Sequence, residues 1–224
     1  MVQRSTMPVL EVADLIKHHG TRPILRGVSL QLEKGERVAL LGPSGCGKTT
    51  LLNCIGGLDR VDGGVIRLLE HDITRMTSDE LAAARRTQLG SVFQFFHLLP
   101  TLTALENVEL PLKLLGRQRD ERIARARSLL ERVGILHRAD ALPAQLSGGE
   151  MQRAAIARAV VHSPALLLAD EPTGNLDSAS GAQVLDLLRE VSDETGAAVL
   201  LVTHSEEAAK ICHRVLRMRD GQLV

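Results

Sequence analysis

The stretch Arg37–Thr50 reads R-V-A-L-L-G-P-S-G-C-G-K-T-T. A short apolar run, strand-like in character, enters a glycine-rich turn and leaves it through Lys-Thr-Thr. Inside it, Gly42-Pro43-Ser44-Gly45-Cys46-Gly47-Lys48-Thr49 fits the spacing G-x-x-x-x-G-K-[ST]. Glycines let backbone N–H groups close around phosphate oxygens, a lysine reaches the β- and γ-phosphates, and the threonine hydroxyl takes a Mg²⁺ position. At average residue usage such a match arises by chance in on the order of 1% of chains this long. The strand before it and the helix after it lower that further. Residues Gly42–Thr50 are therefore expected to bind a nucleoside triphosphate.

Two other apolar runs share this grammar. Ala165–Ala169 ends at Asp170-Glu171, and Ala197–Val202 ends at Thr203-His204. Strands apolar on both faces suit a parallel sheet covered by helices, and such sheets bind ligands beyond the strands' carboxyl ends. The remaining pattern fits an α/β chain. Val9–Leu15 and Ile24–Leu32 read as strands around a turn-like H-G-T-R-P, and Gly64–Glu70 as another. Thr77-Ser-Asp-Glu80 and Thr103-Ala-Leu-Glu106 are capping boxes. Ile123, Ala126, Leu130 and Val133 form a helical stripe closed by Gly134, and Val184, Leu187, Leu188 and Val191 form another. Asp220-Gly221 signals a hairpin.

Composition narrows the function. Lys plus Arg and Asp plus Glu number 27 each, so net charge gives no case for nucleic acid. The arginines at 117, 119, 122, 125 and 127 are interleaved with Asp120, Glu121 and Glu131, which suits a solvated helix face. The three cysteines, Cys46, Cys54 and Cys212, lack metal-ligand spacing and read as free thiols. The N-terminal stretch has no apolar signal core, and the longest clear apolar runs fall far short of the roughly 20 residues a spanning helix needs. No direct membrane span is expected.

Taken singly, the polar residues at the strand ends stay ambiguous. Asp170 is either a helix N-cap or a Mg²⁺-positioning carboxylate. Glu171 is either a surface glutamate or a general base that orients water. His204 is either an ordinary strand-end histidine or a phosphate contact. Leu146-Ser-Gly-Gly-Glu-Met-Gln-Arg153 adds a second glycine-rich helix start, again the grammar of an anion site with bare backbone N–H groups. One chain thus carries two.

In combination and in this order, the phosphate loop, Gln94, L-S-G-G-E, L-L-L-A-D-E-P, Asp177 and His204 resemble the ATPase subunit of ATP-binding-cassette (ABC) transporters, from Val9 to Val224. The resemblance implies an α/β phosphate-loop NTPase core with a mostly parallel sheet. An antiparallel β subdomain and an inserted helical subdomain (about 94–158, the core being about 1–93 and 159–224) complete the single domain. It implies ATP and Mg²⁺ as ligands. Lys48, Gln94, Glu171 and His204 would be the catalytic set, with Thr49, Gln94 and Asp170 around the metal. Ser147, Gly148, Gly149 and Glu150 would face ATP bound to a second copy, and Asp177 would sit in the loop at the dimer contact. Each nucleotide is then clamped between two protomers, which explains the two anion sites. A kinase or GTPase reading lacks any N-K-x-D guanine motif and leaves L-S-G-G-E unexplained.

The segments Q-F-F-H-L-L-P, T-A-L-E-N-V-E-L-P and A-D-E-P-T-G-N-L-D are similar to the lipoprotein-releasing and macrolide-export branch. That branch implies an integral-membrane permease as partner and a place on the cytoplasmic face of a bacterial inner membrane. Some of Phe95, Phe96, Leu98 and Leu99 are then expected to line the groove that receives a cytoplasmic helix of the permease. A cell-division-type relative, driving a membrane partner without transport, is the alternative. Two departures bear on the site. The family stacks adenine on an aromatic residue upstream of the phosphate loop, whereas this chain offers K-H-H-G, with His19 or His18 in that place. Cys46 lies inside the loop, where N–H dipoles and Lys48 are expected to favour an accessible thiolate.

Overall fold

A computed structural model describes residues 7–224; residues 1–6, part of the stretch read for a signal core, lie outside the described residues. The chain opens with an antiparallel hairpin, β1 (Leu10–His19) and β2 (Arg22–Leu32), turning at Gly20-Thr21. β3 (Arg37–Leu41) runs into the phosphate loop and α1 (Lys48–Ile55). β4 (Gly63–Leu68) and β5 (His71–Asp72) complete a four-stranded sheet of order β2-β1-β4-β5. This is the expected antiparallel β subdomain.

α2 (Ser78–Gln88) then leads directly into β6 (Leu89–Phe93). α3 (Ala104–Leu114), α4 (Arg119–Arg132) and α5 (Gly148–Val160) form the helical insert. The chain returns through β7 (Leu166–Asp170), α6 (Ser178–Thr195), β8 (Ala198–Thr203), α7 (Glu206–Ala209), β9 (Arg214–Arg219) and β10 (Gln222–Leu223). The capping boxes at Thr77/Glu80 and Thr103/Glu106 are both formed, and Gly134, at φ 73°, closes α4. α3 carries Pro111 inside it.

The second sheet has the order β10-β9-β3-β8-β7-β6, and its strands from β9 to β6 are parallel. Its central strands are covered on both faces, as their uninterrupted apolar character requires. The period of two is visible in the packing. Leu166, Leu168, Leu200 and Val202 face a core shared with α1 and the antiparallel sheet. Leu167, Ala169, Val199 and Leu201 face a core shared with α3–α6.

Register decides where the chemistry falls. Leu41 pairs with Thr203, Asp170 with Val202, and Phe93 with Asp170. The next residues along each strand, Gly42, His204, Glu171 and Gln94, therefore emerge together at one edge of the sheet.

Candidate active site

At that edge lies a cavity of about 500 Å³, lined by Ser44, Gly45, Gly47, Lys48, Thr49 and Thr50 of the loop. Gln94, Asp170, Glu171 and His204 line it from the strand ends, and Arg22 and Ile24 from β2. α1 is preceded by Gly47, whose φ of 111° is left-handed, with no side-chain cap and no acidic residue in the first turn. Its orphan N–H groups are left for an anion. Lys48 is buried, and its ammonium donates to the carbonyls of Gly42 (2.7 Å) and Pro43 (3.0 Å).

The acidic pair is built differently at each member. The Thr49 hydroxyl donates to Asp170 Oδ2 at 3.1 Å. Burial pushes the Asp170 carboxyl above its ordinary value; the Thr49 bond opposes this and the neighbouring Glu171 carboxylate adds to it. Glu171 turns the chain at φ 47°, a left-handed conformation for a residue with a side chain. Strain of this kind costs ~1–3 kcal/mol and persists only where the surroundings enforce it. Here Glu171 N–H donates to Val202 O (2.9 Å) and Gly174 N–H donates to Glu171 O (3.0 Å). Its carboxylate accepts from the buried Thr203 hydroxyl at 3.0 Å and lies 2.9 Å from His204 Nδ1. Thr203 and Asn175, which bonds Gln94, were missed from sequence. Their only signals were their places beside His204 and before Asp177.

Some residues singled out from sequence stand outside the cavity lining. His19 and His18 do not line the cavity; His19 Nε2 lies 3.6 Å from Asp59, and His18 is bonded to Asp62. Cys46 is only 6% exposed and belongs to the hydrophobic core beneath the loop, so its sulfur is not the accessible group expected there. Gly42 and Pro43 likewise contribute their carbonyls to Lys48 rather than lining the cavity.

The second glycine-rich start, at α5, lies elsewhere: none of Ser147, Gly148, Gly149 and Glu150 lines the cavity, nor does Asp177. The α5 terminus is also less bare than expected. Ser147 Oγ accepts from Glu150 N–H, and Glu150 accepts from Ser147 N–H, so only the Gly148 and Gly149 N–H groups stay open. Arg138 sits 3.2 Å from the Glu150 carboxylate and balances its charge. The Phe96 ring and Leu176 both approach Gly148. Asp177 caps α6, accepting from Ser180 N–H at 2.9 Å.

The sequence profile of the ABC transporter family matches residues 25–174. The chain belongs to that family. Its core is thus that of an ATP-hydrolysing transporter subunit, with ATP as the nucleotide. Among its relatives, the lipoprotein-releasing system ATP-binding protein LolD of Geobacter metallireducens is 47% identical over 220 residues, spanning 96% of this chain and 98% of that one. The pyoverdine export ATP-binding/permease protein PvdT of Pseudomonas aeruginosa is 45% identical over 97% of this chain, which spans 34% of that larger protein. A dimeric structure of the ATP-binding cassette MJ0796, in a post-hydrolysis state bound to ADP and Pi, superposes with a TM-score of 0.88. That protein is 39% identical, and the match covers 96% of each chain.

The donor set also suits one metal. Among the described residues no cluster of three or more His, Cys, Asp or Glu exists that could cage an ion. Thr49, Asp170 and Gln94 instead offer a few hard oxygens beside a phosphate cradle. Mg²⁺ is bound in this way, through one or two carboxylates, substrate phosphates and water. Among the described residues, no helix is long and apolar enough to cross a membrane.

Proposed function

We propose that the chain is the ATP-hydrolysing subunit of a lipoprotein-releasing transporter, acting as a homodimer that holds two MgATP between its copies. One observation carries this reading: the two anion-binding helix starts are separate. The cavity at α1 holds the general base, while the open N–H groups of Gly148 and Gly149 contribute nothing to it. A second copy, related by two-fold symmetry, supplies the missing donors twice over.

Within each half, Lys48 exchanges its two loop carbonyls for the β- and γ-phosphate oxygens. Thr49, Asp170 and Gln94 would hold Mg²⁺, which supplies charge neutralisation on the phosphates. Glu171, fixed by Thr203 and His204, takes a proton from the attacking water. His204 reaches the γ-phosphate, and the partner's signature loop covers the opposite side. Asp177 keeps the preceding loop in place at the dimer contact. Residues 94–158 form the helical arm. Phe95, 69% exposed, and Leu99, 44% exposed, present apolar surface beside Gln94 for a membrane permease. PvdT, whose name joins ATP-binding and permease functions in one protein, supports such a partner. The cytoplasmic face of the membrane follows as the working place. The relatives' names favour this reading over the cell-division-type alternative.

Mixing tests the assignment. Ser147→Arg and Lys48→Ala proteins, each inactive alone, should recover turnover together, because the mixed dimer keeps one intact site. No recovery means that the site is complete within one chain. ATP-dependent release of lipid-anchored proteins by the co-purified membrane complex tests the cargo.

A further inference from the structure

We infer that Asn175 is a positioning residue that sets the orientation of the Gln94 side-chain amide, leaving its carbonyl oxygen free for the metal. The inference rests on the reading of Gln94 as a metal contact and goes one step beyond it.

The argument is an accounting of donors and acceptors. Asn175 Nδ2 donates to the backbone carbonyl of Gln94 at 3.0 Å. A carbonyl only accepts, so the Asn175 amide is fixed with its nitrogen on that side. Its other face is then Oδ1, which also only accepts, and it receives Gln94 Nε2 at 3.2 Å. Gln94 must therefore present its nitrogen to Asn175 and its oxygen elsewhere. Among the described residues nothing donates to that oxygen, and Gln94 lines the phosphate cavity.

Gly174 completes the cradle. A Cβ built on Gly174 would lie 2.8 Å from Gln94 Nε2 and 3.1 Å from its Cδ. The amide packs where any larger residue would stand. Asn175 thus does for a glutamine ligand what an outer partner does for a metal-bound histidine: it fixes which atom faces the ion. Its loop runs on into Leu176, whose side chain lies 3.4 Å from where a Cβ on Gly148 would stand, and into Asp177. The amide of Gln94 is oriented by the same segment that packs on the signature loop.

The test uses Mn²⁺ as probe on the full chain in a Glu171→Gln background, loaded with one equivalent of ATP. The half-saturating Mn²⁺ concentration is read from the electron paramagnetic resonance of the free ion, without turnover. Asn175→Ala should raise it about 10-fold, the lower end for loss of an outer-shell partner. Gly174→Ala, which displaces the same amide, should do likewise. Gln94→Ala should raise it at least as far, and adding Asn175→Ala to Gln94→Ala should change nothing more. An unmoved midpoint in Asn175→Ala, with Gln94→Ala shifted, overturns the inference alone. So does a full additional loss in the double variant. An unmoved midpoint in Gln94→Ala instead overturns the metal role of Gln94 itself, and this inference with it. Thermal unfolding of each variant separates these outcomes from a simple loss of fold.

Discussion

Gly90→Ala should damage the protein out of proportion to one methyl group. Gly90 lies in β6, against α5. An added Cβ would fall 2.2 Å from Ala159 O, 3.1 Å from Ala159 C and 2.5 Å from Leu167 Cδ2. Ordinary contacts between carbon atoms begin at ~3.5 Å, so strand and helix must part by about 1 Å. Two of the three obstacles are helix backbone, which cannot swing aside as a side chain does. Overpacking of this kind costs ~1–3 kcal/mol, and the upper figure applies here. For a chain of this size that lowers the melting temperature by about 6–12 °C. The functional loss should exceed the thermal one. α5 carries Gly148 and Gly149 at its start, and its Arg158 donates to the carbonyls of Phe96 (2.8 Å) and His97 (2.5 Å) beyond Gln94. Both of those residues have left-handed φ, 61° and 48°. Moving α5 disturbs both half-sites together. Differential scanning fluorimetry and steady-state turnover read the two effects. Gly181→Ala is the control, since its Cβ would meet nothing closer than 3.6 Å and alanine favours a helix interior. A Gly90→Ala melting temperature within 2 °C of the parent, or above that of Gly181→Ala, refutes the packing argument (roughly a 1 kcal/mol effect or less).

Three more outcomes are expected. A carboxyl raised by burial, as Asp170 is, costs folding stability as pH climbs from its ordinary 3.8 through the raised value, and that loss is complete above it. Asp170→Asn should therefore raise the melting temperature of the nucleotide-free protein at pH 8 while abolishing Mg²⁺-dependent turnover; the thermal gain should vanish in acid, and a gain independent of pH would exclude burial of the charge as its cause. Native Cys46 should react with maleimide only after denaturant is added, whether or not MgATP is present, as mass spectrometry of labelled peptides will show; fast native labelling would mean the loop opens. Phe95→Asp should weaken capture of the permease while the isolated subunit keeps its turnover, and equal capture would move the docking groove elsewhere.

The sequence was most legible where a single local pattern is sufficient. Strand β3 and its loop, the capping boxes at Thr77 and Thr103, the α6 stripe and the Asp220-Gly221 turn each declare themselves within a few residues. The sheet order was not written locally. It depends on β3 meeting β8 and β9 from far along the chain. The same limit bears on the site. Cys46 was judged by its loop neighbours, yet its position is set by the core beneath. His19 was judged by its place in the chain, yet Asp59 lies beside it and Arg22 and Ile24 line the cavity. Thr203 and Asn175 matter through single hydrogen-bond partners, Glu171 and Gln94, that no spacing rule connects to them.

The late hairpin has a consequence for how the site is made. Gly221 N–H donates to the Cys46 carbonyl at 3.1 Å, and its own carbonyl accepts from Arg26 N–H at 2.9 Å. A Cβ on Gly42 would meet Met218 O at 2.3 Å, so β9 lies directly behind the loop. During synthesis the loop leaves the ribosome long before these props do. A nascent chain arrested just past His204 would carry every side chain proposed for catalysis and still lack the strand behind its loop. The last strands to be made are thus the ones that brace a loop made early.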